Sequence, residues 1–190
     1  MIHIAAESPA DVAAREALLD RVMGPARRAK PSERLRENRL PAEGLAFTAV
    51  EDRRVIGTAR LWNIAVGNGK PALLLGPVAV ACAHQGRGIG GGLVKRAIRD
   101  ARKRGYAAIV LVGDAPYYGR FGFSGKKTGA LAMPGAFERH RLLGLELQAG
   151  ALDGARGIIA PTGRPEPAPD LALLVARGGR VPRGRRSRAA

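Results

Sequence analysis

Only one cysteine, Cys82, and three scattered histidines, His3, His84 and His140, occur among the 190 residues. A disulfide framework within the chain and a cysteine-rich zinc site are excluded, and the histidines add no metal-ligand spacing. A reducing, cytoplasmic setting with no bound metal is expected. Long apolar runs are missing too. The longest, Pro71 to Ala83, falls well short of the roughly 20 residues a bilayer demands. The opening MIHIAAESPADVAARE has neither a basic start nor an apolar h-region, so neither export nor a membrane span is expected. Acidic residues are scarce, 16 against 32 Lys and Arg, which leaves a net charge of +16. Such a surface attracts polyanions: nucleic acid, acidic protein or a phosphorylated cofactor.

What is present is globular. Hydrophobic residues make up 46% and charged residues 25%, ordinary usage for a folded protein, and the length suits one domain. From Pro161 to Ala190 the composition shifts, with five prolines and four glycines, and Arg180, Arg183, Arg185, Arg186 and Arg188 crowd the last eleven positions. The expected organisation is a domain over residues 1–160 followed by a disordered basic tail over 161–190. The tail's charge suits a weak nucleic-acid contact, but no aromatic side chain lies between its arginines to stack on bases.

Within the body, Ile2 to Ala6 reads as a first strand. Ser8, Pro9 and Asp11 supply a helix cap, a first-turn proline and a capping acid, so a helix should begin near Pro9. Ser32 to Leu40, between Pro31 and Pro41, reads as a second short helix. Three β-rich runs, Leu45–Val50, Val55–Ile64 and Pro71–Cys82, are joined by short links of the kind that build an antiparallel meander. Ile89, Leu93, Val94, Ala97, Ile98 and Ala101 recur at helical spacing and predict an amphipathic helix that ends at Gly105. Ala107–Gly113 follows as a buried strand, and the strand–helix–strand order makes it a parallel neighbour of the third run. The segment DAPYYGRFGF after it reads as a proline-containing loop with β alternation, and Leu142–Leu147 as one more antiparallel strand. The fold class is mixed α/β.

The most informative stretch is Gln85-Gly-Arg-Gly-Ile-Gly-Gly-Gly92, five glycines between a buried strand and a helix start. Glycines let the backbone turn tightly, and the first helical amides lack intrahelical acceptors and carry the positive end of the helix dipole. Such a turn suits a diphosphate. Gly86, Gly88 and Gly91 also satisfy the dinucleotide fingerprint GxGxxG, with Asp114 near the place of a ribose-binding acid. The β-like sequence after Asp114 disagrees with the further βα repeats that fingerprint requires.

Gly76 to Val94 resembles the cofactor motif Q/R-x-x-G-x-G/A of the GNAT superfamily of acyl-CoA-dependent N-acyltransferases, with Gln85, Gly88 and Gly90 in the fixed places. Tyr117 to Phe123, YYGRFGF, resembles that family's tyrosine followed four residues later by Gly-Phe. The resemblance implies a mostly antiparallel sheet with one parallel, splayed strand pair and flanking helices, and acetyl-CoA as co-substrate. It implies that main chain of Val78, Ala79 and Val80 meets the pantetheine arm. It also implies that the amides of Gln85, Gly86, Arg87, Gly88, Ile89, Gly90 and Gly91 meet the pyrophosphate, with the Arg87 charge on a phosphate oxygen. The resemblance further implies that Tyr118 is the proton donor to the departing thiolate, and Tyr117 is expected to pack elsewhere.

The general base is less evident, because residues 72–82 hold no carboxylate. Asp114 is the nearest acid in sequence, unless it caps the segment leading to Tyr118. Water, or less readily His84, could serve instead. Trp62, Asn63 and residues 34–39 are where acceptor contacts would be sought, although a strand tryptophan ordinarily packs in the core. Two function classes are open: an N-acetyltransferase acting on a small-molecule or protein amine, and a non-catalytic module binding acyl-CoA or nucleic acid. Thiol release with amines, against salt-dependent nucleic-acid binding, separates them. Monomer and homodimer are both compatible with the sequence, and the positive charge argues mildly against cationic acceptors.

Overall fold

The computed structural model describes residues 1–167. The arginine-rich part of the expected tail therefore lies outside the described residues. Strands β1 (His3–Ala6), β2 (Ala46–Glu51), β3 (Arg54–Val66) and β4 (Lys70–Val80) form the expected antiparallel meander. Both tight links depend on left-handed residues, Asp52 and Arg53 in the first and Asn68 and Gly69 in the second, which matches the right-handed twist of the flanking strands. β5 (Ala108–Val112) lies parallel to β4. A two-residue strand β6 (Leu131–Ala132) follows, then β7 (Leu142–Glu146), antiparallel to β5. The main sheet runs β1-β2-β3-β4-β5-β7.

The last described strands extend past the expected domain boundary. β8 (Gly157–Ile158) pairs with β6, and β9 (Ala160–Pro161) pairs with β3 at Ala65 and Ile64, just beyond the end of β2. Glu166 N donates to Asn38 O at 2.8 Å. Backbone pairing thus continues to Glu166, because the free edge of β3 offers groups that residues 160–162 satisfy and residues 38–40 offer groups that residues 164–166 satisfy.

Helix α1 (Val12–Met23) is preceded by a 3-10 turn over Pro9–Asp11, with Ser8 N donating to Asp11 Oδ2 at 2.9 Å. The expected helix over Ser32–Leu40 is only a 3-10 turn, Glu33–Leu35. Nine residues between prolines cannot offset the cost of helix nucleation, and Asn38 adopts a positive φ of 54° that ends any helical run. Helix α2 (Ile89–Lys103) buries Ile89, Leu93, Val94, Ala97 and Ala101 and stops before Gly105, as its periodicity predicts. Where a loop and β alternation were expected, a short helix α3 (Ala115–Gly119) forms. The Asp114 side chain caps it, and its proline falls in the first turn where a missing N–H costs nothing.

α2 packs with Phe47, Leu61, Leu73 and Leu75 on one face of the sheet. Trp62, Ile64, Leu74 and Val110 form a second core on the other face with Leu35. α1 lies on this second face, where Arg15 and Arg60 share Glu7.

Candidate functional site

β4 and β5 pair only at Leu73 with Ile109 and Leu74 with Val110. β4 nevertheless continues to Val80, so its second half parts from β5 and leaves a cleft. A bulge accompanies the parting: Leu61 faces Leu75 while Ala59 faces Val78, which crowds Gly76 and Pro77 opposite Arg60. Trp62 Nε1 donates to Gly76 O at 2.5 Å and holds the bulge from below.

Register then decides which backbone groups face the cleft. Ala81 N donates to Ile56 O at 2.8 Å, and antiparallel pairs alternate, so Ala79 exchanges bonds with Thr58 while Val78 and Val80 turn their N–H and C=O away from β3. Of the three residues expected to offer main chain, Ala79 is therefore withdrawn. The Val80 carbonyl accepts from Gln85 Nε2 at 3.3 Å, so the Gln85 side chain buttresses the strand end.

The glycine turn follows directly. Gly86 and Gly88 have φ of 77° and 78°, a region that other residues enter at a cost of about 1 kcal/mol or more. Gln85 N is used, donating to Cys82 O at 3.2 Å, and Gly92 N donates to Gly88 O at 2.9 Å. Between them the amides of residues 86–91 make no hydrogen bond among the described residues. Of the amides expected to meet a diphosphate, that of Gln85 is thus bonded and those of residues 86–91 are unbonded. Arg87 is not free either: its Nη2 donates to Glu51 Oε1 at 3.1 Å, and His84 Nε2 meets Glu51 Oε2 at 3.0 Å. Hydrogen bonding from Arg87, chiefly, holds the Glu51 carboxyl below the usual carboxylate range. His84 Nδ1 is buried without a hydrogen-bond partner among the described residues, and Cys82 is exposed.

Tyr118 lies across Gly113 at the end of β5, where a Cβ on the glycine would collide with its ring. Phe123 meets it edge-on at 6.0 Å. Its hydroxyl makes no hydrogen bond among the described residues, and burial, helped by Tyr117 and opposed by Arg141, pushes its pKa up to about 12. Tyr117 does not pack away from the site as expected. Its Oη stands 3.0 Å from where a Cβ on Gly90 would be, at the start of α2, with the Arg120 guanidinium 4.1 Å over its ring. Helix α3 explains both tyrosines, since adjacent helical residues point about 100° apart. Asp114 caps α3: its Oδ2 accepts from Tyr117 N at 3.2 Å.

Two cavities flank this arrangement. One, about 550 Å³, runs along α2 between Lys95, Arg99, Arg102, Arg120 and Phe121. The other, about 680 Å³, opens on the opposite sheet face between α1 and the 33–41 segment and reaches Trp62 and Pro77. Trp62 is in the core, as a strand tryptophan should be, and its edge also borders this space. Of residues 34–39, Arg36 is buried and lines the cavity, whereas Arg34 is exposed and donates to Pro134 O. Arg39 also lines it and donates to Gly163 O. Sequence reasoning missed Glu51, Arg15, Arg60 and Arg120, which reach the two regions from separate elements.

The sequence model of the acetyltransferase (GNAT) family matches residues 14–123. The chain is 32% identical over 162 residues to the uncharacterized N-acetyltransferase YhbS of Escherichia coli (strain K12), covering 82% of this chain and 93% of the relative. This chain belongs to the GNAT acetyltransferase family. The acetyltransferase is an acyltransferase by that membership, and its mixed sheet with one parallel pair and helices on both faces matches solved relatives. The crystal structure of YhbS from Escherichia coli in complex with CoA is 29% identical with a TM-score of 0.69, over 84% of this chain and 89% of that one. A GNAT family acetyltransferase from Brucella melitensis in complex with acetyl-CoA is 27% identical with a TM-score of 0.60, over 84% and 95%. Among the described residues, no helix is long and apolar enough to cross a membrane.

Proposed function

We propose that the acetyltransferase moves the acetyl group of acetyl-CoA to a primary amine by direct attack within a ternary complex. The observation that carries this reading is the parting of β4 from β5 just above a turn whose amides are unbonded. Val78 offers a main-chain donor and acceptor and Val80 a main-chain donor to an extended amide-bearing arm, and residues 86–91 offer amides and the helix dipole to a diphosphate. The CoA and acetyl-CoA complexes of the two solved relatives support the same donor here.

Three tasks then fall to the chain: hold the thioester against the amine, stabilise charge on the carbonyl oxygen, and return a proton to the leaving sulfur. Tyr118 is the proton donor in this reading. A phenol held at about 12 stays protonated at neutral pH, so its proton is in place as charge develops on the sulfur, and the transfer, uphill to a thiolate, is completed when water returns a proton to the phenolate. The amine's own proton passes to water, because β4 carries no carboxylate and Asp114 is occupied as a cap. Family membership favours this enzyme over a binding module without catalysis. Calorimetry should detect CoA binding by the folded chain, and thiol release with an amine panel should require acetyl-CoA. Absence of CoA uptake overturns the donor site, and thiol release unchanged in Tyr118→Phe overturns the role of Tyr118.

A further inference from the structure

The 680 Å³ cavity on the α1 face has the size of a small-molecule site. It touches the proposed acyl-donor cleft at one place, the Gly76–Pro77 bulge, since Pro77 lines it and Val78 begins the open part of β4. Its interior is rich in arginine. The side chains of Arg15, Arg27 and Arg36 are 7%, 5% and 7% exposed. The carboxylates within reach are already shared: Glu7 between Arg15 and Arg60, Glu16 between Arg15 and Arg27, and Glu33 on Arg36. Glu37 and Glu166 also line it but are exposed.

Arg36 has an unspent donor beside the bulge. Its Nε and Nη2 approach Glu33 Oε2 at 2.8 and 2.6 Å. Its Nη1 has no hydrogen-bond partner among the described residues and stands 3.9 Å from where a Cβ on Gly76 would be. A guanidinium fixed on one side by a carboxylate and open on the other is prepared to receive a second anion. A cationic acceptor without a compensating negative group would meet repulsion from the clustered arginines.

We propose that this cavity receives an acceptor amine that also carries a carboxylate, an amino-acid-like molecule, and that Arg36 Nη1 pairs with that carboxylate. The proposal rests on the reading of the β4–β5 cleft as the acyl-donor site. It makes Arg36 a specificity-determining residue that orients the acceptor, with Trp62 and Pro77 as the apolar floor.

The test uses the full chain saturated with CoA and matched pairs of amines that differ only by the carboxylate: lysine and cadaverine, phenylalanine and phenethylamine, glutamate and γ-aminobutyrate. Ligand-observed NMR measures binding and thiol release with acetyl-CoA measures turnover. In at least one pair the member with the additional carboxylate should bind about tenfold tighter or more, as expected for a charge-assisted bond. Arg36→Gln, and Glu33→Gln with Arg36→Gln to avoid stranding Glu33, should bring that ratio near one, with CoA binding reporting that each variant is folded. Equal binding of every pair by the wild type overturns the proposal, as does a ratio that survives loss of Arg36. Failure of CoA to bind overturns the donor reading and with it this proposal, so the two failures are distinguishable. Carboxylate-selective binding without thiol release supports the pocket while overturning the transfer mechanism.

Discussion

Glu51 holds Arg87 and His84 at once, with Arg87 Nη2 at 3.1 Å from one carboxylate oxygen and His84 Nε2 at 3.0 Å from the other. The arginine that the glycine turn presents is therefore partly neutralised before any diphosphate arrives. Glu51→Gln should free it and tighten CoA binding about twofold to fivefold at low ionic strength, as read by calorimetry. Weaker binding would show that Glu51 instead positions the turn. Because the fold favours the charged Glu51, its stabilising contribution is complete above the ordinary value of 4.5 and is lost as pH falls below it.

Tyr118→Phe should lower turnover about 100-fold or more while CoA affinity stays within about twofold of wild type, as expected for loss of a general acid. Since Tyr118 is pushed from 10.0 up to about 12, the folded chain keeps its proton where the unfolded chain has lost it. The associated stability is present below pH 10 and declines as pH rises from 10 to 12. Alkaline unfolding followed by circular dichroism should therefore be less steep in Tyr118→Phe than in wild type over that window.

Gly113→Ala places a methyl group against the Tyr118 ring. The ring must swing away, so turnover should fall with little change in CoA binding. A variant with full activity would show that the ring's position is immaterial to the chemistry.

Glu7 is 4% exposed and is shared by Arg15 and Arg60, themselves 7% and 13% exposed. Glu7→Gln leaves two buried guanidiniums without their common counter-charge, and the loss should be about 3 kcal/mol or more in a denaturant titration. A change below about 1 kcal/mol would mean that the counter-charge Arg15 already has in Glu16 is sufficient and that Arg60 tolerates the loss.

The legible features were those written in contiguous residues. The 3.6-residue periodicity of Leu93, Val94, Ala97 and Ala101, the Asn68-Gly69 link and the glycine turn each have a local physical cause, and each appears where it was expected. The segment from Asp114 misled because Phe121 and Phe123 alternate like a strand, whereas Asp114 and Pro116 supply the stronger signal of a helix start. The segment from Ser32 misled in the opposite sense, because its arginines favour a helix that its length cannot sustain.

The site divides along the same line. Local sequence by itself determined the amide cradle at residues 86–91, since glycine torsions and a helix start are properties of neighbouring residues. Only the tertiary structure decided that Ala79 faces β3, that Arg87 is tied to Glu51, that Tyr117 reaches Gly90, and that Arg36 stands beside Gly76. Those facts depend on strand register and on side chains brought together from distant positions, and neither is encoded in the spacing of adjacent residues.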